Sequence, residues 1–435
     1  MEISQKLIDC TSHYPSLQLF CQCNCAEDFI KLHTLTNYSQ TIALAIDLPQ
    51  DPKEFKILST LPLSALFVNS KHFEKNSIKQ EFIPFLKEMT IRQIPIFVET
   101  DIPHFTFCFF SLGKILNDLV PTNFYGLSFP LLPLENDLNS MQYQKLEFDT
   151  AKYDLYEEFT RKALEMKGPD AYVAIVGAGR GPIVDRAVKA GAKNVIIVEK
   201  NVSAVILLKQ RLEREWPSTY KLYEGDMRNV KLPFQIDIIV SELLGSFGDN
   251  ELCPECLYGC NRFLSKDAIS IPQNLKSFLV PINSHYLWCE AFHKSLDYIW
   301  VTSMATAIPI GQEKEINSFE FPSASKDFYN SKVFEFEADT DSTLNGFCGW
   351  FDSKLFEEIH LSNSFKSHTN ASESWLHIYV PIRKPVNVKK GQIIKLLFSR
   401  RTDGRRVWYE WALVEPELMG IQNAFGCKYS INLFY

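Results

Sequence analysis

Four apolar runs between positions 171 and 245 each end on a glycine or an acid: "AYVAIVGAGRG", "NVIIVEKN", "YKLYEGDM" and "FQIDIIVSELLG". Helical stretches separate several of them. Near-continuous apolar runs are what strands need when both faces of their sheet are covered. The alternation predicts a doubly wound parallel sheet, which binds ligands beyond the carboxyl ends of its strands. The residues that close each run are therefore the first candidates for chemistry.

The flanks read differently. Before position 126, "TIALAIDLP", "ALFVN" and "IPIFVE" alternate with helix-like pieces such as "IKQEFIPFLKEM", a βα pattern. "YGLSFPLLPLENDLNS" reads as a linker. "EFDTAKYDLYEEFTRKALEM" has helical spacing throughout. After position 280, "VFEFEAD", "GFCGWF", "WLHIYVPI", "QIIKLLFS" and "RVWYEWALVEP" are short β runs cut by turn signals such as "RTDGRR". They predict an all-β sandwich or barrel. The expected units are 1–125, 126–280 and 281–435.

Composition narrows the classes. The net charge of −7 argues against direct nucleic-acid binding and suits a basic partner. No apolar stretch of the ~18 residues a membrane span needs is present, and no signal peptide opens the chain. Eleven cysteines, an odd number, point to a reducing compartment. The expected location is the cytoplasm, with the nuclear share left unfixed. Neither "CQCNC" (Cys21, Cys23, Cys25) nor "CPECLYGC" (Cys253, Cys256, Cys260) has a partner knuckle, so both read as ordinary thiols. His285 and His377 read as structural.

The cofactor edge can be followed residue by residue. Gly177, Gly179 and Gly181 follow the first run directly; Pro182 stands where a dinucleotide fingerprint wants its last glycine. Glu199 ends the second run, twenty residues after Gly179, where an acid can accept from ribose hydroxyls. Asp226 ends the third beside Met227. The acid can accept from an adenine amino group, and the thioether can cover the ring. These features fit an adenosine-type ligand, either a nicotinamide cofactor or S-adenosylmethionine.

"SELLGSFGDNELCPEC" separates the two. Glu242 and Glu251 are nine residues apart, and at about 100° per residue they cannot share a helix face. Gly245 and Gly248 permit a reversal that brings both acids back to the cofactor edge. Two adjacent carboxylates repel unless a cation lies between them. A guanidinium suits best, because it is always charged and donates in a planar fork. The two acids would also offset the sulfonium of S-adenosylmethionine, align a guanidinium nitrogen and accept its proton.

This loop resembles the double-glutamate loop of the type II, symmetric protein arginine methyltransferases. The resemblance covers about residues 125 to 435, including "VGAGRGP", "VEKN", "DMR" and "VWYEWA". It implies a Rossmann-like S-adenosylmethionine methyltransferase domain followed by a β-barrel that helps hold substrate. Matched by motif, Glu242 and Glu251 bind and activate the guanidinium. Tyr143, Lys152 and Tyr153 belong to the segment that closes over the cofactor. Trp375 packs on the substrate arginine, and Ser374 stands where type I enzymes carry a histidine. Leu146 stands where the family has a phenylalanine associated with symmetric dimethylation. Mainly monomethyl and symmetric products are expected, with asymmetric or monomethyl-only output as the alternative.

The family implies protein substrates with arginine in Gly/Arg-rich or histone-like tails. Its amino-terminal (β/α) barrel runs to about 250 residues, and about half that precedes the methyltransferase motifs here. A reduced (β/α) barrel-like region is expected. The family's tetramer and its WD-repeat partner both use that barrel, so neither is carried over; a homo-oligomer is left open. Two rivals compete with catalysis. A non-catalytic scaffold predicts a damaged loop or a missing acid, and a nicotinamide oxidoreductase predicts the third fingerprint glycine. The sequence shows neither.

Overall fold

The computed structural model describes residues 19–23, 25–40, 42–74, 77–99, 112, 115–116, 126–133, 137–365, 369 and 374–434. At the amino-terminal end, β1 (Leu19–Cys23), β2 (Ile42–Asp47), β3 (Ala65–Val68) and β4 (Ile96–Val98) pair in parallel, in chain order. Helices α1 (Ala26–Leu35), α2 (Phe55–Ser59) and α3 (Ile83–Ile91) fall between them. Strands laid down in chain order with intervening helices form an arc of a (β/α) barrel. Phe29, Leu44, Leu66, Phe82 and Leu86 fill the core of this unit.

The second sheet reverses its order, as the alternation of apolar runs and helical stretches predicts. It contains β5 (Tyr172–Val176), β6 (Asn194–Glu199), β7 (Lys221–Glu224), β8 (Ile236–Ser241) and β9 (Leu264–Ile271). All pair in parallel in the order β9-β8-β5-β6-β7. Chain direction across the sheet switches between β5 and β8, the place where such folds open a crevice. The loops after β5 and β8 carry the glycines and Glu242. The middle strands are buried on both faces, which explains their unbroken apolar runs.

One helix expectation needs correction. The segment 147–166 is not one continuous helix: α4 spans Ser140–Glu147 and α5 spans Thr150–Lys167. Asp149 interrupts them. Its side chain accepts from the Lys152 amide and caps α5, satisfying a donor that a helix start leaves unpaired. Asn139 and Gln142 form a reciprocal capping box at the start of α4. The break at Asp149 (φ −77°, ψ 74°) separates α4 from α5, and Tyr143, Leu146 and Glu147 of α4 line the cavity described below.

The third unit is antiparallel. β10 (Asn274–Asn283), β11 (Ser342–Phe356) and β12 (His377–Val388) are the long strands of a seven-stranded sheet. β13 (Ile393–Thr402) and β14 (Arg406–Glu415) belong to a four-stranded sheet. Phe347, Ile378 and Val380 from the first meet Phe398, Tyr409 and Trp411 from the second in one apolar core. This is the β-barrel module. Among the described residues no helix is long and apolar enough to cross a membrane.

Candidate active site

Three further helices frame the site: α6 (Pro182–Lys189), α7 (Val202–Arg214) and α8 (Cys253–Cys260). A cavity of about 930 Å³ opens at the switch point. Its walls come from the loops after β5, β6, β7 and β8, from α4 and from the segment before β12. Gly177, Gly179, Glu199, Asp226, Met227, Tyr143, Leu146, Tyr153, Glu242, Glu251, Ser374 and Trp375 all line it. Lys152 lies behind the wall.

At the cofactor end the backbone itself forms the surface. Gly177 has φ +71°, and a Cβ there would stand 2.9 Å from Leu243 and 3.4 Å from Met227. Gly179 has φ +55°, with the Tyr143 ring 3.0 Å from where its Cβ would be. Side chains at these points would be strained and would crowd the cradle. Glu199 Oε2 accepts from the Gly179 amide at 2.7 Å. Its Oε1 accepts from the amides of Lys200 and Asn201. Burial raises the Glu199 pKa, while those amides act in the other direction.

Asp226 is more committed than its sequence suggests. The Arg228 guanidinium grips it at 3.0 and 3.1 Å through Nε, and the Arg228 amide donates at 2.8 Å. Although burial opposes it, this pairing holds the carboxyl below its ordinary range. Above the cradle, α4 is latched by a bidentate ion pair between Glu147 and Arg180, the residue inside "GAGRG". The Tyr143 hydroxyl accepts from Asn201 Nδ2 at 3.1 Å. Leu146 is half-buried on the same helix and faces the cavity.

The acidic loop reverses as its glycines permit. Gly245 and Gly248 bridge each other through paired backbone hydrogen bonds. A short 3-10 turn, Asp249–Glu251, follows and returns Glu251 to the cavity. The two acids meet unlike surroundings. Glu242 Oε2 receives the Lys152 ammonium at 2.9 Å, and Glu242 Oε1 accepts from the Leu244 amide at 3.2 Å. Among the described residues, the Glu251 carboxylate takes no hydrogen bond or ion pair. Burial, then the Glu242 charge, hold its pKa well above the usual carboxylate range, with Lys152 pulling the other way.

Lys152 reaches the acid pair from α5. Its side chain is fully buried, and the ammonium sits 4.8 Å from the ring centroids of both Tyr153 and Trp375. It backs Glu242 of the acid pair, beside the two rings. A carboxylate and two ring faces around a cation form an environment suited to cationic groups.

Several positioning residues escaped the sequence reading. Asp149 Oδ2 accepts from the Ser374 amide at 3.1 Å and its hydroxyl at 2.6 Å. Ser374 therefore works as a tether, fixing Trp375, whose Nε1 donates to the Leu244 carbonyl at 2.6 Å. Arg400 on β13 is fully buried and pairs with Asp249 at 2.7 Å and with Glu255 at 2.7 Å. Those two acids keep its guanidinium charged despite burial. An Asp directly before "TAKY" signals a helix cap, but nothing local signals partners 225 and 151 positions away. Cys253, Cys256 and Cys260 are buried free thiols, and Cys256 borders the cavity.

Residues 121–271 match the family described as PRMT5 arginine-N-methyltransferase, and residues 274–431 match the PRMT5 oligomerisation domain. The chain is 31% identical over 448 residues to protein arginine N-methyltransferase 5 of Xenopus laevis, covering 92% of this chain and 70% of that protein. It is 37% identical over 329 residues to the protein of the same name from Oryza sativa subsp. indica, covering 71% of this chain and 51% of that one. Protein arginine N-methyltransferase skb1 of Schizosaccharomyces pombe is 34% identical over 326 residues, with 69% and 52% covered. The chain thus spans about half the length of the rice and yeast relatives. Among solved structures, the Trypanosoma brucei PRMT1 enzyme-prozyme heterotetrameric complex with AdoHcy shares the fold. The TM-score is 0.55 at 15% identity, covering 67% of this chain and 97% of that one.

Proposed function

The chain belongs to the PRMT5 family of protein arginine N-methyltransferases, and from that premise we propose that it methylates guanidinium nitrogens of protein arginine, giving monomethyl and symmetric dimethyl arginine. The observation that carries this reading is the asymmetric acid pair. Glu242 is already neutralised by buried Lys152, while Glu251 faces the cavity without a partner among the described residues. The pair with Lys152 is net negative by one charge when Glu251 ionises, which suits one incoming guanidinium.

S-adenosylmethionine supplies, when bound, an electrophilic methyl on a positive sulfur. Gly177 and Gly179 would let it approach the backbone, Glu199 would receive its ribose hydroxyls, and Tyr143 and Met227 would pack on it. Asp226, gripped by Arg228, would shape the adenine end. Glu242 and Glu251 orient a substrate guanidinium by charge-assisted hydrogen bonds. Glu251, with its raised pKa, is the better placed to hold the proton that leaves the nitrogen. Trp375, pinned to the Leu244 carbonyl, presents an aromatic surface to the same cation.

In this reading the units 1–125, 126–280 and 281–435 divide the work: support, cofactor binding with chemistry, and substrate holding. The oligomerisation family match of residues 274–431 supports a homo-oligomer. Substrates are proteins with Gly/Arg-rich or histone-like tails, met in the cytoplasm and the nucleus. Labelled S-adenosylmethionine and a Gly-Arg-rich peptide test the reading, with products resolved by fragmentation mass spectrometry. Glu242→Gln is expected to lower turnover by about 10²–10³-fold, as for other groups that stabilise transition-state charge. Equal transfer by parent and variant would remove Glu242 from the chemistry. Predominantly asymmetric dimethylarginine would overturn the product assignment.

A further inference from the structure

α9 (His285–Lys294) leaves the barrel module and packs against the amino-terminal unit. At that junction three metal-ligating side chains meet: His33, near the end of α1, and His285 and Cys289, one turn apart on α9. They are 6%, 4% and 3% exposed. The methyltransferase reading uses none of them, and the cavity at the switch point does not include them.

The distances are specific. His33 Nδ1 lies 3.2 Å from His285 Nε2, Cys289 Sγ lies 3.6 Å from His33 Nδ1, and Cys289 Sγ lies 3.5 Å from His285 Nε2. Zinc bonds imidazole nitrogen at about 2.0–2.1 Å and thiolate sulfur at about 2.3 Å. Tetrahedral angles then place two nitrogens about 3.3 Å apart and nitrogen from sulfur about 3.5–3.6 Å apart. The three edges of the triangle match that geometry.

Proton counting points the same way. A neutral imidazole nitrogen either donates or accepts, and a thiol carries one proton. The three inward-facing atoms hold at most two protons between nitrogens of opposite role and one sulfur. Two protons leave one of the three edges without a hydrogen bond of its own unless one is shared. One cation satisfies all three at once.

We propose that His33, His285 and Cys289 form a structural zinc site that staples the amino-terminal unit to the barrel helix. Cys289 binds as the thiolate and its proton passes to solvent. A water completes the tetrahedron. The ligands' burial suits a structural metal, and Phe29 and Tyr38 pack against the His33 ring, shielding the junction.

The test uses the full chain, stripped with chelator, dialysed against buffered Zn²⁺ and analysed for metal by mass spectrometry. The parent is expected to retain about one zinc per chain, as a three-ligand site holds one ion. Cys289→Ser and His33→Gln are each expected to reduce retention at least about tenfold, because a first ligand matters at least as much as its supporting shell. Cys25→Ser, an exposed thiol in "CQCNC", is expected to match the parent. With Co²⁺ in place of Zn²⁺, the parent should show a thiolate-to-cobalt charge-transfer band that Cys289→Ser lacks. That near-isosteric change keeps the test usable if His33→Gln fails to fold. Zinc well below one equivalent, no thiolate band in the parent, or loss in Cys25→Ser with retention in Cys289→Ser would each overturn the site. Metal content is read without cofactor or peptide, so the outcome is independent of methyl transfer.

Discussion

Glu251 is where charge and burial conflict most sharply. Its half-buried carboxyl faces Glu242 across the acidic loop, and both effects favour the protonated form. The folded-state pKa lies above the ~4.3 of an unfolded glutamate. Between those two values the folded chain binds more protons than the unfolded one, so stability falls as pH rises through that window. Glu251→Gln removes this loss. The variant is expected to melt higher than the parent near neutral pH and to converge with it toward about pH 4, near the unfolded glutamate value. Methyl transfer should fall at the same time, since sites built for charge carry a stability cost. Melting curves across that range settle it, and a variant that melts lower than the parent at every pH sinks the idea. Residue identity at this position was legible in the sequence. The inequality between the two acids was not, because it depends on Lys152 arriving from a helix 90 positions earlier.

The acidic loop owes its shape to neighbouring elements as much as to its glycines. Trp375 holds the Leu244 carbonyl, Asn363 donates to the Ser246 carbonyl, and Ser277 Oγ lies 2.8 Å from both the Phe247 carbonyl and Asp249. From beneath, β13 sends Arg400 between Asp249 and Glu255, tying the 3-10 turn to α8. Removing one partner of a fully buried charge network leaves the others uncompensated, at about 3–5 kcal/mol. Arg400→Met is expected to lower unfolding free energy by that amount in denaturant titrations and to lower activity by displacing Glu251. A change below about 1 kcal/mol would mean that water reaches the two acids, since only a solvated pair costs so little. Loop reversal at Gly245 and Gly248 could be read from residue types. The platform beneath it could not, since "FSRRTDG" looks like a turn approach and gives no hint that Arg400 is fully buried.

Across the whole molecule, the amino-terminal arc meets the barrel through α9. Arg92 is the polar hinge of that contact. Its guanidinium donates to the Ser59 and Leu61 carbonyls at 2.9 and 3.0 Å and stacks on Tyr286, whose amide donates to the Thr60 carbonyl. Charged hydrogen bonds of this kind are worth about 1.5–3 kcal/mol each. Arg92→Ala is expected to raise amide exchange in residues 59–61 and 285–289 while leaving β5 and β8 protected. Unchanged exchange at 285–289 would show that the Arg92 guanidinium does not hold the two units together. At this scale the sequence determined the parts. Apolar runs ending in glycine or acid dictated a parallel sheet with a cofactor edge, because only strands covered on both faces tolerate such runs. Short β runs dictated the barrel, and spaced acids with glycines between them dictated a loop that reverses and returns both acids to one cavity. Tertiary structure decided what the sequence could not encode locally: which cation backs Glu242, which side chain anchors Trp375, and that His33 meets His285 and Cys289. Each depends on contacts between residues 90 to 256 positions apart, and such contacts leave no periodic trace in the sequence.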